Sequence, residues 1–397
     1  MKDLREEEFS DFDKKCMARA LSLARRGRGG VSPNPLVGAV VAKDGRIIGE
    51  GWHRHYGGKH AEPDAIDDAI AKGHALAGAH LYCNLEPCCY TAPDKHQPAC
   101  TGIIIKNGIA RVVAASRDPN PRVRGGGFRQ LEEAGIKVES GLFEAAGENL
   151  NEGFFTFQRA GRPFVRLKIA QSLDGRIAAA GGDSRWITDD AARRLVHRMR
   201  SRHDAVLVGR GTVQADDPQL TLRHVKGVNP FRVVLDSRLS LPPSARLFSL
   251  PDAEKTIVIC GAGASGSPAG GQKAALLRER GVRVLEADGG GGEISAKAAL
   301  SALAGIGIRS VFVEGGGAVY TSFLKEGLWD KIAVFIAPLL IGRGIDAVGD
   351  LQTASIADAL RLCDVSIKRI GDQVLFEGGR SSGRSSGRKK EAECLPV

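Results

Sequence analysis

Aromatic side chains are scarce in this chain, at 5% of 397 residues. Few platforms are left on which splayed bases would stack, which weighs against a binder of single-stranded nucleic acid. No apolar run approaches the roughly 20 residues needed to cross a bilayer. The opening stretch, MKDLREEEFSDF, is acidic and lacks the apolar core of a signal peptide. A cytoplasmic protein with no membrane partner is therefore expected. Cysteine is sparse too, with eight in the chain, which excludes a disulfide framework. Four of the eight (Cys83, Cys88, Cys89 and Cys100) nevertheless fall within eighteen residues, and such crowding in a reducing compartment points to a metal.

What is present suffices for more than one core, since 43% of the residues are hydrophobic. The formal charge is +10, and from Arg380 onward five Arg/Lys against two Glu supply three of those charges. The remainder suits a small phosphorylated substrate as well as it suits nucleic acid.

Periodicity divides the chain into two α/β series. In the first, residues 13–26 carry apolar positions at helical spacing, and residues 37–52 read as a hairpin around Asp44-Gly45. A helix follows over 61–73, with Pro63 in its first turn where a missing N–H is harmless. Short apolar runs at 80–86 and 110–116 read as buried strands. The second series begins after Gly161-Arg162-Pro163. Its apolar runs start at Phe164, Asp204, Phe231, Thr256, Ser310 and Lys331, separated by helical stretches, and they predict a largely parallel sheet. From Gly378 the pattern dissolves into Gly, Ser and Arg. The expected domains are 1–157, 162–378 and a disordered basic tail over 379–397.

The chemistry is concentrated in the first series. His60-Ala61-Glu62 opens a helix, Glu86-Pro87-Cys88 follows a strand, and Cys100 lies twelve residues beyond Cys88. One imidazole and two thiolates make a three-ligand zinc site with a fourth position open for water, the catalytic pattern. Glu62, two residues after a ligand, matches the proton-carrying glutamate of the H-x-E…P-C deaminase signature. Two alternatives stand beside this reading: buried core cysteines, or a structural zinc with a fourth ligand from Cys83 or Cys89. Cys83, in mid-strand, reads as core; Cys89 stays open.

Over almost its whole length the chain resembles a known family, the bifunctional riboflavin-biosynthesis deaminase/reductases. The first half carries SPNPLVGAVV at 32–41, GWHRHYGGKHAE at 51–62, NLEPC at 84–88, DPNP at 118–121 and LNEGF at 150–154. The resemblance implies a cytidine-deaminase-like three-layer domain, with zinc on His60, Cys88 and Cys100, and Glu62 as proton shuttle. It adds Asn34, His53, Asp118 and Asn120 as substrate contacts. Three departures stand out. Eleven residues separate Cys88 from Cys100, more than is usual in the family. Tyr90 replaces a usual His, with Lys95 and His96 as substitutes for phosphate contact. Asp64 replaces His or Asn, and its carboxylate is expected to weaken substrate binding.

The second half resembles the family in RPFVRLKIAQSLDGRIA at 162–178, SRWIT at 184–188, GTVQADDPQLTLR at 211–223 and VEGGGAVYTSFL at 313–324. This implies a dihydrofolate-reductase-like domain that uses NADPH to open a ribosyl ring into a ribityl chain. The substrate that the resemblance implies is a small phosphorylated pyrimidine. Carried over by position, Lys168 and Asp216 are the catalytic candidates. Ser184, Arg200, Leu220, Arg223 and Glu314 are substrate contacts, the two guanidiniums being suited to phosphate. Lys168, Ala170, Trp186, Thr188, Thr212, Asp216, Gly315, Gly316 and Gly317 are cofactor contacts. The glycines open a helix where backbone approaches a pyrophosphate. A second glycine run, at 261–266, satisfies a G-x-G-x-x-G search but lacks the setting of a dinucleotide fold.

Two other readings compete. One is a tRNA or single-strand deaminase with an accessory domain, although that signature places two residues between its cysteines. The other is a chain in which one half has decayed to a scaffold. A bifunctional enzyme acting on small molecules, without nucleic acid and as a homo-oligomer, is the expectation carried forward.

Overall fold

The computed structural model describes residues 2–3, 6–91 and 97–380. Its first sheet has six strands in the order Lys2–Asp3, Lys137–Ser140, Arg111–Ser116, His80–Leu85, Gly38–Lys43 and Arg46–Trp52. The hairpin stands where expected, with positive φ at both Asp44 and Gly45, as a two-residue primed turn requires.

Helix Asp11–Ala24 starts where a capping box dictates: Ser10 Oγ accepts the Asp13 N–H and Asp13 Oδ2 accepts the Ser10 N–H. Its face of Cys16, Met17, Ala20 and Leu23 packs on Val40, Tyr82 and Val113. The opposite face of the sheet buries Ala39, Val41, Cys83 and Ala114 against Ala61, Ala65, Ile66 and Phe128. The three layers expected for this half are thus observed.

Helix Ala61–Ala71 lies close on the hairpin because glycine lines the contact. A Cβ on Gly51 would stand 2.3 Å from the Ala65 nitrogen and 2.6 Å from the Ala61 oxygen. That approach seats His60 and Glu62 above the strand ends. Beyond Ser116 the chain adds helices Gly126–Glu133, Glu144–Leu150 and Glu152–Ala160, which periodicity had not marked. The last packs on the start of a later strand, with the Arg309 guanidinium 3.4 Å from the Phe157 ring centroid.

By contacts the chain forms two compact units, residues to Phe164 with Arg193–Val313, and Val165–Ala192 with residues from Glu314 on. Outside its six-stranded sheet, the first unit has strands in the order Arg283–Ala287, Thr256–Gly261, Phe231–Leu235, Ala205–Gly209; neighbours run parallel, as expected. In the second unit Phe164–Ser172 runs parallel to Lys331–Ala337, but Gln373–Arg380 and Leu362–Ile370 follow antiparallel. The sheet is thus largely parallel, as expected, with this C-terminal pair as its antiparallel part. Gly379 and Arg380, expected in a tail, complete the last strand; residues 381–397 lie outside the described ones. Among the described residues no helix is long and apolar enough to cross a membrane.

Candidate active site and metal centre

Three elements deliver the metal-ligand candidates. His60 holds the N-cap position of helix Ala61–Ala71, Cys88 follows strand His80–Leu85, and Cys100 opens helix Cys100–Lys106. His60 Nδ1 lies 3.5 Å from Cys88 Sγ and 3.3 Å from Cys100 Sγ, and the three donor atoms all fall within 4.8 Å of one another. Such spacings match tetrahedron edges of roughly 3.5 Å around a zinc ion with N and S ligands. Cys83 sits in the sheet core with its Sγ near the Val113 carbonyl, and Cys89 Sγ turns to the carbonyls of Arg122 and Val123. Among the described residues neither joins the cluster, so the four-ligand structural alternative lacks its fourth donor.

Glu62 is buried in the first turn of the same helix, and its Oε2 has no hydrogen-bond partner. A carboxylate oxygen in that position costs about 1–3 kcal/mol unless something polar completes it. A cation with its water or substrate does so, and the residues therefore fit zinc. Burial, reinforced by the charge of Cys88, holds the Glu62 carboxyl above the ordinary range, as suits a group that gives and takes a proton.

A cavity of about 260 Å³ opens onto this centre, lined by Asn34, His53, His60, Glu62, Cys88, Asp118 and Asn120 among others. Every deaminase residue implied by the resemblance except Cys100 lines it, and Cys100 stands directly behind. His53 Nδ1 is 2.9 Å from the Lys59 carbonyl, so that nitrogen carries the proton, and Nε2 accepts from Asn34 Nδ2 at 3.2 Å. Burial keeps His53 below its ordinary pKa and hence neutral. Asp118 Oδ1 accepts the Asn120 N–H at 2.8 Å, and burial beside Glu86, Cys88 and Glu62 pushes its carboxyl up to about 7.

Sequence reasoning missed Glu86. Its buried carboxylate accepts four backbone N–H groups, those of Asp118, Gly125, Gly127 and Phe128, at 3.0–3.3 Å. The segment bearing Asp118 and Asn120 is thereby tied to the strand bearing Cys88. Tyr56, Gln97 and Phe154 also line the cavity unforeseen.

The departures resolve differently. Tyr90 lines the cavity, with the Arg122 guanidinium 5.9 Å from its ring centroid. Asp64, expected to disturb substrate, faces elsewhere: its Oδ2 accepts from the Trp52 N–H and from Arg54, each at 3.1 Å, and it lies outside the cavity lining. The hairpin claims the carboxylate. Lys95 and His96 fall outside the described residues.

The reductase candidates are distributed over both units. In the second, Lys168 and Ala170 lie on strand Phe164–Ser172, where the Lys168 carbonyl accepts the buried Tyr320 hydroxyl. Ser184, Trp186 and Thr188 follow strand Arg176–Ala179, and Trp186 is 69% exposed. Glu314 and Gly315 end strand Ser310–Gly315; Gly316 then caps helix Gly317–Lys325 without a side-chain bond. With glycine at the N-cap, backbone there can come close to a pyrophosphate. In the first unit, Thr212 and Asp216 lie on helix Arg210–Asp216, and Leu220 is buried with φ 55°. Arg200, also buried, donates to the Thr221 carbonyl at 2.6 Å, and the Arg223 N–H approaches His197 Nδ1 at 3.3 Å.

The glycine run at 261–266 is a decoy. Glu286 accepts from the N–H groups of Gly263 and Ser265 and from the Ser265 hydroxyl, so a carboxylate of the chain itself fills the loop.

Comparison with known proteins agrees with this geometry. Residues 10–116 match the cytidine and deoxycytidylate deaminase zinc-binding region, and residues 163–376 match the RibD C-terminal domain. A riboflavin biosynthesis protein RibD of Aquifex aeolicus is 42% identical across 92% of this chain and 98% of its own length. The solved structure of Acinetobacter baumannii RibD is 35% identical with a TM-score of 0.81, covering 93% of this chain and 99% of that one. A Thermotoga maritima structure described as a diaminohydroxyphosphoribosylaminopyrimidine deaminase/5-amino-6-(5-phosphoribosylamino)uracil reductase is 38% identical with a TM-score of 0.79, over the same shares. The expected pairing of a cytidine-deaminase-like domain with a reductase domain is borne out, and the nucleic-acid deaminase reading is not favoured. The chain belongs to the RibD family of riboflavin biosynthesis, and it is a bifunctional enzyme that joins a zinc-dependent deaminase to an NADPH-dependent reductase.

Proposed function

We propose that residues 1–157 deaminate 2,5-diamino-6-ribosylamino-4(3H)-pyrimidinone 5′-phosphate, and that residues 162–378 reduce the ribosyl group of the resulting 5-amino-6-(5-phosphoribosylamino)uracil to ribityl. One observation carries the first step: the meeting of His60, Cys88 and Cys100 beside the unpartnered Glu62 oxygen in one small cavity. Zinc on those three residues supplies the Lewis acidity that makes water a nucleophile near neutral pH. Beside such a site Glu62 would take a proton from the water, whose oxygen bonds the ring carbon, and would hand it to the substrate, so that the C–N bond breaks and the amine leaves as ammonia. Neutral His53, with Asn34, Asp118 and Asn120, holds the ring in the orientation that attack requires.

For the second step NADPH, when bound, would be the source of the hydride needed at the sugar carbon that carries the amine. Lys168 and Asp216 move protons during ring opening, and Arg200 and Arg223 hold the phosphate, with Ser184, Leu220 and Glu314 as further substrate contacts. Ala170, Trp186, Thr188, Thr212 and Gly315 to Gly317, with Lys168 and Asp216, hold the cofactor.

The partners are then small molecules and not nucleic acid, a reading supported by the size of the cavity. The setting is cytoplasmic. A homo-oligomer is supported by strand Leu362–Ile370, which ends its sheet and exposes Val365 and Ile367. Sedimentation should detect more than one copy per particle, and a monomer at all concentrations would refute this part. The function itself is tested by supplying zinc-replete protein with the diaminopyrimidine ribosyl phosphate. Ammonia release followed by NADPH oxidation is expected, and no ammonia with full metal content overturns the assignment.

A further inference from the structure

We propose that Asn151 is a positioning residue of the deaminase site, holding the segment that presents Asn34 through a paired hydrogen bond to Leu36. The inference rests on the reading of Asn34 as a substrate contact. Residues 33–37 supply Pro33, Asn34, Pro35 and Val37 to the cavity wall. Pro33 and Pro35 have no N–H to donate, so this wall is weakly fastened by its own backbone.

Two buried amides compensate. Asn151 Oδ1 accepts the Leu36 N–H at 2.7 Å, while Asn151 Nδ2 donates to the Leu36 carbonyl at 3.0 Å. Asn84, fully buried, donates to the same carbonyl at 2.9 Å and accepts the Gly38 N–H at 2.8 Å. Each side chain thus behaves as a short strand partner with both ends engaged, and neither amide is left to bear an uncompensated desolvation cost.

The placement of Asn151 argues for this role over a local one. It sits at the junction of helices Glu144–Leu150 and Glu152–Ala160, in the N-cap position of the second, where an Asn side chain ordinarily bonds its own helix. Here it makes no capping bond and reaches a backbone 115 residues away. The same helix presents Phe154 to the cavity. From Leu36 the chain leads to Asn34, which donates to His53, and the His53 ring lies edge-to-face with His60. A slack Leu36 would let Asn34 drift from its place, and small misplacements at a reacting site are costly.

The test is a double-mutant cycle in the full-length, zinc-loaded enzyme, using Asn151→Ala, Asn34→Ala and both together. Asn151→Ala is expected to raise the deaminase KM about ten-fold while kcat changes far less, with zinc content and NADPH-dependent reduction unaltered. In the Asn34→Ala background it should raise KM no further, whereas a merely structural role would act equally in both backgrounds. Equal multiplication of KM in the two backgrounds overturns the proposal. If Asn34→Ala alone leaves KM unchanged, what falls is the substrate role of Asn34 itself. Asn151→Asp, of the same shape, retains the acceptor for Leu36 but loses the donor, and it covers the case in which the alanine variant does not fold. It too should raise KM only where Asn34 is present; the opposite result counts against the proposal.

Discussion

The backbone N–H of Asp118 donates to Glu86 Oε2 over 3.1 Å, and both residues are buried. Since the same carboxylate gathers three further N–H groups, it braces the whole segment that carries Asp118 and Asn120 into the cavity. Glu86→Gln turns an NH₂ group toward donors that need an acceptor. It should lower stability by about 2 kcal/mol and raise the deaminase KM while leaving reduction intact. Urea denaturation and steady-state kinetics on each half-reaction check this, and an unchanged KM would refute it.

Glu62 and Cys100 separate chemistry from metal binding. Glu62→Gln should slow deamination by roughly 10²–10⁴-fold with zinc retained, because the proton carrier is lost while the three donors stay. Cys100→Ala should lose zinc and deamination together. Elemental analysis beside the ammonia assay distinguishes them; zinc loss from the Gln variant would mean that Glu62 is itself a ligand.

Acid stability should depend on Asp13. Burial pushes its carboxyl up, but hydrogen bonds from Arg111, Tyr82 and Ser10 outweigh burial and hold it well below the usual range. A depressed carboxylate stabilises the fold fully above its unfolded pKa of about 4. That contribution is lost as pH falls further, because the unfolded chain takes up the proton first. Asp13→Asn should therefore be less stable at pH 7, by about 3 kcal/mol since Arg111 loses a partner, and should show a flatter decline below pH 4. Parallel curves for the two proteins would refute the assignment.

Asp64 should matter little to catalysis. With its Oδ2 engaged by the Trp52 N–H and Arg54, Asp64→Ala is expected to cost about 1 kcal/mol of stability. The deaminase KM should stay within two-fold of the parent. A larger rise would show that the carboxylate reaches the substrate after all.

The metal centre was legible because zinc chemistry demands particular side chains at short, fixed offsets, and His60, Glu62 and Cys88 supply them within two motifs. Glu86 and Asn151 were illegible for the opposite reason. Both work by binding backbone N–H or carbonyl groups far along the chain, and backbone carries no residue-type signal. Strand Leu362–Ile370 escaped notice because an edge strand with little burial has no apolar face to impose a period of two. Gln373–Arg380 was missed as well, because Gly378 and Gly379 look like a linker until they are seen to pair with Ile332 and Lys331. Asp64 shows the limit of reading single substitutions: its type was known, its direction was not.

Strand Phe164–Ser172 finds its parallel partner in Lys331–Ala337, about 160 residues further on. During synthesis at about 5–20 residues per second, the apolar run FVRLKIA waits roughly ten to thirty seconds for that neighbour to leave the ribosome. The nascent polypeptide thus passes through a stage in which a sticky ribbon is ready to pair with whatever arrives first. Heterologous production should accordingly benefit from slow translation and abundant chaperones, whatever the stability of the finished enzyme.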